Sequence, residues 1–507
     1  MKKFIKPIRI FIILNIIFSV ISNIALALMP YYTQELLKSH YQNALIGYIS
    51  CILIYLLFNY LQMRVEWKQA IKFSTLLKTE WFNSVISKSK YDFSKRKVPE
   101  YISYQSNDLD ALEKDYLPPL ISFYKQILRM IIFAIVITGT INIVVAIILI
   151  TSAIVSIQIP KIIGKKTSQK RTKYLKNQSD YYKKLDDLLS GHHLINNKTL
   201  LGFKKQQQLS LEKLQSNYYD YGLMKTIGLV LTGFSFEFTG IILFIYLAYG
   251  LYNNQITVPE VAASLSYITA FSEPIQEILY DIQMLESVKK VKESFLSIIN
   301  LKKVDKIGCR TFKKIIMKNI YKKIGNKNLN IPLLEINKGE KIALIGDNGS
   351  GKSTLLNIIN GMDEDFEGDI YIDGEKINYL DGLFSMILQK DHTFYASYEE
   401  NISIFSSYDI KQMKDIFSGQ NASYLSGGEK QKMYLTRVIN QNNPLILMDE
   451  PFSALDTVQF QNELSKVLNL DSAVIMILHQ NDNMLEKFDT VWKIENGTIK
   501  ILKMGAN

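Results

Sequence analysis

Six long apolar stretches dominate the first three hundred residues of the chain. Each is close to the length of about 20 residues that a helix needs to cross a bilayer. They lie near residues 10–29, 44–63, 121–138, 143–160, 227–249 and 258–279, and they predict six membrane-spanning helices. The first stretch has a competing interpretation as a secretory signal peptide, because Lys2, Lys3 and Lys6 precede it. Its length, and the five apolar stretches that follow it, favour a membrane span.

The gaps between these stretches alternate between very short and very long. Residues 139–142 alone join the third and fourth stretches, whereas more than 50 residues separate the second from the third and the fourth from the fifth. Both long gaps are rich in Lys and Arg, which favours the cytoplasmic side. They contain many Leu, Tyr and Lys residues and few Gly or Pro residues, so they predict helices that continue beyond the bilayer. We therefore expect both termini and both long gaps to be cytoplasmic.

The composition fits a membrane part followed by a soluble part. The 507 residues are 48% hydrophobic and 21% charged, with a net charge of +11. The residues before Lys306 include 36 basic and 22 acidic side chains, whereas the chain from Lys306 onwards has 23 basic and 26 acidic side chains. Because the positive charge lies between apolar stretches, we expect no nucleic-acid partner. Cys51 and Cys309 are interpreted as inert thiols, since they support neither a disulfide framework nor a metal site.

A glycine-rich loop follows a short apolar stretch in the second part. The sequence at 341–345 predicts a buried strand, and the sequence at 354–359 predicts a helix. A strand, a glycine-rich loop and a helix in this order form a P-loop, in which backbone amides and the helix N-terminus bind phosphate. The expected phosphate-binding residues are Gly346, Asp347, Asn348, Gly349, Ser350, Gly351, Lys352, Ser353 and Thr354.

The P-loop chemistry assigns separate roles to its last residues and to a second strand. Lys352 is expected to reach the β and γ phosphates, and the hydroxyl of Ser353 is expected to bind Mg²⁺. Asp449 and Glu450 follow the apolar run at 445–448. Asp449 is expected to hold Mg²⁺, while Glu450 is expected to polarise the attacking water.

A second anion-binding helix start lies between these motifs. Ser426, Gly427 and Gly428 open a predicted helix, and the first amides of a helix attract anions. One nucleotide does not need two phosphate cradles. We therefore expect this helix start to serve a nucleotide that is held by a partner subunit.

Together these motifs resemble the ATP-binding cassette (ABC) transporter family. The segment 425–431 resembles the family signature, and its place between the P-loop and Asp449 has the family's order. The resemblance implies that Gln389 contacts Mg²⁺ and takes part in catalysis. It also implies that Asp456 lies in the loop that meets the nucleotide and that His479 is the catalytic switch histidine.

The resemblance also implies a fold class and a domain organisation. The expectation is a multidomain membrane protein in which a six-helix, all-α transmembrane domain with long cytoplasmic extensions spans residues 1–300. An α/β P-loop ATPase domain, which binds ATP and Mg²⁺, follows over residues 306–507. In this family short coupling helices contact the ATPase domains, and the expected coupling stretches here are 101–112 and 185–196.

The function implied is that of a half-transporter, an exporter subunit that hydrolyses ATP and moves a peptide, bacteriocin, drug or lipid outward. Its expected partner is a second half-transporter, with a homodimer as the simpler case and a heterodimer open. The expected location is a bacterial cell membrane, crossed several times and in contact with lipid. Import through an exporter-like fold and an ATP-driven membrane sensor are the alternatives. No segment with a Cys/His peptidase pair precedes the first span, so we expect no leader-peptide processing.

Two sets of side chains keep alternative interpretations. Either Tyr321 or Ile324 is expected to meet the adenine ring, because the register of the strand that carries them is ambiguous. Glu273, Glu277 and Asp281 share one face of the sixth helix, and Glu237 lies within the fifth. These acidic residues either pair with basic side chains of neighbouring helices or form a cavity wall that favours cationic substrates.

Overall fold

The structure is a computed structural model. It describes residues 1–38, 40–300, 311–325, 327–377, 384–388, 391–406, 420–451, 457–478 and 484–503. Contacts divide the chain into two units, one of Met1–Ile86 with Val98–Leu301 and one of Ser87–Lys97 with Lys302–Asn507. The described part of the first unit is helical, and the second unit combines helices with β-sheets.

The helices lie where the apolar pattern predicts them. In chain order they are α1 (Lys2–Ile5), α2 (Arg9–Leu37), α3 (Tyr41–Ile86), α4 (Lys90–Ser94), α5 (Val98–Ser103), α6 (Leu109–Asp115), α7 (Leu117–Thr140), α8 (Ile143–Ser190), α9 (Leu200–Tyr252), α10 (Val258–Ser287), α11 (Lys289–Ile299), α12 (Lys352–Ile359), α13 (Tyr398–Ser403), α14 (Gly427–Gln441) and α15 (Thr457–Leu468). Helices α2, α3, α7, α8, α9 and α10 contain the six apolar stretches. Helices α3, α8 and α9 also continue far into the two long gaps, which confirms that those gaps are helical.

Three helical segments of the described chain are long and apolar enough to cross a membrane. They are Lys2–Leu37, Tyr41–Ile86 and Val98–Thr140, and shorter apolar helical stretches lie at Ile143–Ser152 and Glu237–Tyr252. That all six predicted stretches cross the membrane, and in which orientation, stays a prediction.

Local sequence signals position the ends of the later helices. Helix α8 begins after Asn142, whose side chain accepts a hydrogen bond from the backbone of Val144 at 2.9 Å. Helix α10 begins with a capping box, in which the carboxylate of Glu260 accepts a hydrogen bond from the backbone of Thr257 at 2.7 Å. Both devices satisfy amides that have no partner inside the helix. The short connections at 141–142 and 253–257 therefore end one helix and start the next within a few residues.

The packing of the first unit depends on apolar and aromatic contacts between these helices. One cluster joins Phe133 of α7 with Tyr267 and Phe271 of α10. The buried hydroxyl of Tyr267 donates a hydrogen bond to the backbone oxygen of Ala27 in α2 at 2.7 Å. This bond satisfies a phenol that would be costly to bury without a partner, and it holds α2 against α10.

Within the described residues of the second unit, the strands form two sheets. The strands are β1 (Lys314–Ile324), β2 (Lys327–Asn337), β3 (Lys341–Gly346), β4 (Glu367–Ile372), β5 (Glu375–Ile377), β6 (Phe384–Ile387), β7 (Leu445–Asp449), β8 (Ala473–Ile477), β9 (Thr490–Glu495) and β10 (Thr498–Lys503). The first sheet is antiparallel, with the order β2-β1-β4-β5, and the second has the order β10-β9-β3-β8-β7-β6. All neighbouring pairs of the second sheet are parallel except β9 with β10.

A short part of the first long gap groups with the second unit. Ser87–Lys97 groups with that unit, and the ammonium of Lys90 lies 3.9 Å from the ring centre of Phe384. The predicted stretch 101–112 belongs instead to the first unit, where its apolar face is buried beside Trp81. The role of 101–112 as a coupling stretch stays a prediction. The stretch 185–196, predicted as the second coupling segment, also lies in the first unit.

Candidate functional site

The candidate site lies at one edge of the second sheet. Parallel strands have their carboxyl ends at the same edge, and ligands of open α/β sheets bind outside that edge. Strand β3 ends at Gly346 and β7 ends at Asp449, with β8 between them. Strands β6 and β8 end at Ile387 and Ile477. The sheet order therefore brings the P-loop and the two adjacent carboxylates to one place.

Three of the predicted site residues lie outside the described part of the chain. Gln389 follows β6 by two positions, and His479 follows β8 by two positions. Asp456 directly precedes α15. Their contributions to the site stay predictions.

The P-loop holds its shape because three of its residues have no side chain. Gly346, Gly349 and Gly351 have φ angles of +151°, +74° and +107°, a region that L-residues rarely adopt. A Cβ atom at Gly346 would lie 2.6 Å from the carbonyl oxygen of Ile494 in β9. Any larger residue at this position would push the loop away from the sheet.

Polar groups of the loop converge on a phosphate-sized cradle. The ammonium of Lys352 donates hydrogen bonds to the carbonyl oxygens of Gly346 at 2.7 Å and Asp347 at 3.0 Å, so its charge lies over the loop. Helix α12 begins at Lys352 and directs its first amides toward the same space. The hydroxyl of Ser350 is buried without a hydrogen-bond partner. These groups fit the phosphate oxygens of a nucleotide.

Two oxygen ligands suited to Mg²⁺ lie next to this cradle. The hydroxyl of Ser353 donates a hydrogen bond to the carboxylate of Asp449 at 3.3 Å. Burial raises the pKa of the Asp449 carboxyl, and the bond from Ser353 partly offsets this shift. Hydroxyl and carboxylate oxygens are the ligands that Mg²⁺ prefers. A cation at this position would also compensate for the buried charge of Asp449.

Glu450 has a backbone conformation that is unusual for its residue type. Its φ angle is +47°, in the left-handed region, which costs about 1–3 kcal/mol for a residue with a side chain. Such conformations persist where the surrounding structure imposes them, often at active sites. This conformation separates the direction of the Glu450 side chain from that of Asp449 before it.

The predicted second cradle is the start of α14. Ser426 is its N-cap, and the carboxylate of Glu429 accepts a hydrogen bond from the backbone amide of Ser426 at 2.7 Å. This hydrogen bond lowers the pKa of Glu429. Gly427 and Gly428 follow as the first residues of the helix, where amides have no partner inside the helix. Anions are attracted to such a helix start; that it binds a nucleotide held by a partner subunit stays a prediction.

The strand that carries the two adenine candidates contains a register shift. Strand β1 changes its pairing with β4 between Lys318 and Tyr321. Tyr321 is 37% exposed, whereas Ile324 is partly buried against the core of the second unit. The space that a Cβ atom of Gly351 would occupy is 3.6 Å from the Cδ1 atom of Ile324. Ile324 is therefore the candidate beside the P-loop.

A buried arginine outside the sequence motifs links α14 to the segment after Gln389. Arg437 is 6% exposed, and its guanidinium donates hydrogen bonds to the carbonyl oxygen of Asn401 at 2.8 Å and to that of His392 at 3.1 Å. Asp391 lies 3.8 Å from the guanidinium. Burial lowers the pKa of Arg437 and raises that of Asp391. The signal in the sequence was one charged residue on the otherwise apolar face of a helix.

The hydroxyl of Tyr434 reinforces the same connection. It lies 2.6 Å from the hydroxyl of Thr393 and donates a hydrogen bond to the carbonyl oxygen of Asp391 at 3.1 Å. The helix that presents Ser426 to Gly428 is therefore bonded at its middle to the chain that leaves β6. This arrangement fixes the start of α14 relative to the segment that follows Gln389.

The acidic residues of the first unit do not share one environment. The carboxylate of Glu273 accepts a hydrogen bond from the guanidinium of Arg129 in α7 at 2.8 Å, as the pairing interpretation predicts. Glu277 and Asp281 line a cavity instead. Glu237 has an exposed side chain on α9. Both interpretations of the acidic stripe on α10 are therefore represented, at different residues.

Two family models match the chain. The model described as ABC transporter transmembrane region matches residues 12–275, and the model described as ABC transporter matches residues 329–453. The first covers more than half of the chain. The chain belongs to the ABC transporter family.

The similar proteins include one named for transport and processing and one named for import. The chain is 29% identical over 325 residues to the lacticin-481/lactococcin-DR transport/processing ATP-binding protein of Lactococcus lactis subsp. lactis, covering 58% of this chain and 46% of that protein. It is 33% identical over 187 residues to the thiamine import ATP-binding protein ThiQ of Histophilus somni (strain 129Pt), covering 32% of this chain and 87% of that protein. The chain thus spans about half the length of its lactococcal relative.

A solved structure supports the fold over nearly the whole chain. A bacterial Atm1-family ABC exporter with ATP bound superimposes with a TM-score of 0.83, covering 99% of this chain and 95% of that one at 15% identity. The comparison confirms the predicted fold class, a helical transmembrane domain followed by an α/β ATPase domain.

Replacing Gly346 with Ala tests the P-loop geometry of this transporter. The added Cβ atom would lie 2.6 Å from the carbonyl oxygen of Ile494, so the loop must shift. We expect the affinity for a fluorescent ATP analogue to fall by about tenfold or more, which corresponds to a strain of about 1–3 kcal/mol. Gly202→Ala is the control, because a Cβ atom there meets no atom within 4 Å. Unchanged affinity in Gly346→Ala would contradict the assigned geometry.

Replacing Arg437 with Met tests the link between α14 and the segment after Gln389. Removing one partner leaves the buried Asp391 uncompensated, which costs about 3–5 kcal/mol. We expect a lower unfolding temperature, monitored through the fluorescence of the buried Trp492, and slower ATP hydrolysis. Lys432→Met removes a half-buried charge from the same helix and should change neither quantity. Equal unfolding temperatures for the two variants would show that the Arg437 network is not structural.

Proposed function

We propose that this chain is one half of an ATP-driven exporter in a bacterial cell membrane, which it crosses several times with both termini on the cytoplasmic side. The observation that carries the proposal is the presence, in one chain, of a complete P-loop, a carboxylate pair and a separate glycine cradle at Ser426. Long helices that extend beyond the predicted membrane spans precede these features. The proposed domains are residues 1–300 for the transmembrane part and 306–507 for the ATPase.

The residues at the sheet edge account for binding and hydrolysis of ATP. Residues 346–354 bind the phosphates through backbone amides and the ammonium of Lys352. Ser353 and Asp449, together with Gln389, would hold Mg²⁺, which would supply positive charge to the phosphates. Glu450 accepts a proton from the attacking water, and His479 completes the catalytic set. Ile324, or Tyr321 from the opposite side of β1, meets the adenine ring.

The second cradle requires a second subunit. Ser426, Gly427 and Gly428 of one chain contact the nucleotide held by the other, and Asp456 lies at the same junction. ATP therefore favours the closed pair of ATPase domains, because both faces gain phosphate contacts only there. The exposed Leu189, Leu194 and Leu201 around the turn between α8 and α9 give the membrane part an apolar surface for a partner. A homodimer satisfies all these contacts with one sequence.

We favour outward transport over import because the import relative matches a smaller share of the chain than the exporter structure does. The thiamine-import relative corresponds only to about a third of the chain, whereas the exporter fold covers nearly all of it. The lactococcal relative matches over 58% of the chain, and its name describes lacticin-481/lactococcin-DR transport and processing. We therefore propose a peptide as the substrate class.

Glu450→Gln tests the assigned catalytic base. The amide keeps the shape of the carboxylate but cannot accept the proton, so we expect normal ATP binding. We also expect ATP hydrolysis that is slower by about a hundredfold or more. The measurement is phosphate release from purified protein with Mg-ATP. Normal turnover in Glu450→Gln would refute this role, and Glu463→Gln in α15 is the control for loss of an acidic side chain.

Vesicle assays test the direction of transport. Inside-out membrane vesicles expose the ATPase to added ATP, so an exporter should accumulate labelled cationic or neutral test peptides in them. The Glu450→Gln protein is the matched control, since we expect it to bind ATP without turnover. ATP-dependent loss of preloaded peptide from the same vesicles would instead establish import.

A further inference from the structure

We propose that the transmembrane unit contains a binding site for a primary ammonium group, in a cavity of about 440 Å³ lined by α2, α3, α6, α7 and α10. The inference deepens the proposed function, because it names a chemical feature of the transported substrate. It rests on the proposed function only for the transport step after binding. Binding itself is a property of the cavity.

Three buried polar side chains line this cavity without satisfying their hydrogen bonds. Both polar atoms of the Asn15 amide, one oxygen of Gln69 and one oxygen of Asp281 have no partner. These residues are 0%, 3% and 2% exposed. A buried polar group without a partner costs about 1–3 kcal/mol, so three around one space indicate a ligand that completes them.

Three of the four unsatisfied atoms match the donors of an ammonium ion, and the fourth, the amide nitrogen of Asn15, is itself a donor. The free oxygens of Asn15, Gln69 and Asp281 are all acceptors, and they come from three different helices. A primary ammonium group has three N–H donors and no acceptor. A hydroxyl, by contrast, offers one donor only. Acceptor oxygens on several sides of one cavity therefore favour an ammonium group over a neutral ligand.

The charges around the cavity favour a cation. The carboxylate of Glu66 pairs with Lys125, and that of Glu113 pairs with Lys78 at 3.1 Å. Lys114 also lines the cavity, but its ammonium pairs with Asp110 at 2.9 Å. In each of these pairs the two charges neutralise each other. They leave the two acidic residues of α10 to set the sign of the site.

Those two residues are Glu277 and Asp281. Neither forms an ion pair among the residues that the structure describes. The hydroxyl of Ser122 bonds to Asp281, and Lys125, which pairs with Glu66, acts on Asp281 without a direct ion pair. A carboxylate buried without a counter-charge is costly. A bound cation would remove that cost.

The entrance and the volume fit an alkyl chain that ends in an ammonium group. Trp67 and Tyr280 line the cavity and are 72% and 43% exposed, so they form its rim beside Met63. Aromatic faces attract cations and pack against methylene groups. Sites for small ligands have volumes of about 300–1,000 Å³, and this cavity lies at the lower end. A lysine side chain or a short diamine has the right length and charge.

Direct binding to the full-length, nucleotide-free protein in lipid nanodiscs tests the proposal. The probes for calorimetry are cadaverine and a short peptide with one lysine, and the neutral controls are 1,5-pentanediol and the same peptide with acetylated lysine. We expect the ammonium probes to bind and the neutral ones not to bind. Binding of cadaverine alone would identify free alkylamines as the ligand class, and binding of the peptide would identify lysine side chains.

Variants locate the binding to this cavity. Asp281→Asn should weaken ammonium binding by about tenfold or more, as expected for the loss of a charge-assisted hydrogen bond. Glu277→Gln should weaken it by a smaller factor. Glu286→Gln, on the same helix but outside the lining of this cavity, should leave it unchanged. Absence of binding to the wild-type protein, or equal binding by all three variants, would overturn the proposal.

Two further measurements separate folding and transport from binding. Asn15→Leu removes an unsatisfied amide at similar volume, so the protein should stay folded, as shown by an unchanged elution volume, while ammonium binding weakens. Unchanged binding in a folded Asn15→Leu protein would contradict the site. Glu450→Gln should bind cadaverine like the wild type. If the ammonium probes bind but ATP drives no transport, the exporter proposal fails while the site stands.

Discussion

The parallel pairing of β3, β8, β7 and β6 is the constraint on which the rest of the ATPase depends. Each of these strands is short and buried, and each is followed within two residues by a motif residue. Because parallel strands end at one edge of the sheet, residues that are more than 100 positions apart are brought to one site. The bond between Ser353 and Asp449 exists for this reason, across 96 positions of sequence. Gly346 allows the loop to stay against β9 at that edge.

In the dimer proposed above, each nucleotide site depends on both subunits through the second cradle. A capping box of Ser426 and Glu429 orders the start of α14, and the network around Arg437 fixes the helix to the chain after β6. A phosphate that binds there must therefore meet a rigid element. This rigidity makes closure of two ATPase domains sensitive to the presence of nucleotide, because a flexible helix start could adjust to either state. Hydrolysis then removes a contact that only the closed pair provides.

Features that extend over many consecutive residues were predicted well from the sequence, whereas features that depend on single contacts were not. The six helices were predicted from apolar runs of about 20 residues. The P-loop was predicted from a loop whose glycines allow positive φ angles. The sequence did not predict that Ser87–Lys97 groups with the ATPase unit. Stretches 87–97 and 101–112 are both amphipathic, and only packing decides which one is buried in the first unit. Likewise, the register shift in β1 between Lys318 and Tyr321 changes which side chains face the core, and no periodic pattern marks it.

The acidic stripe of α10 shows why spacing alone assigns a face but not a role. Glu273, Glu277 and Asp281 recur every four residues, so the helix directs all three toward the same side. The side chains of the neighbouring helix α7 differ along that side. At Glu273 it offers Arg129, which forms an ion pair with the carboxylate. Near Asp281 it offers the hydroxyl of Ser122 and, without a direct ion pair, the charge of Lys125, which pairs with Glu66. An acidic side chain is therefore paired with a cation at one end of the stripe and lacks a direct ion pair at the other. The cation sites proposed at Asp281 and at Asp449 share one physical reason: burial makes the charge of a carboxylate costly until a positive ligand arrives.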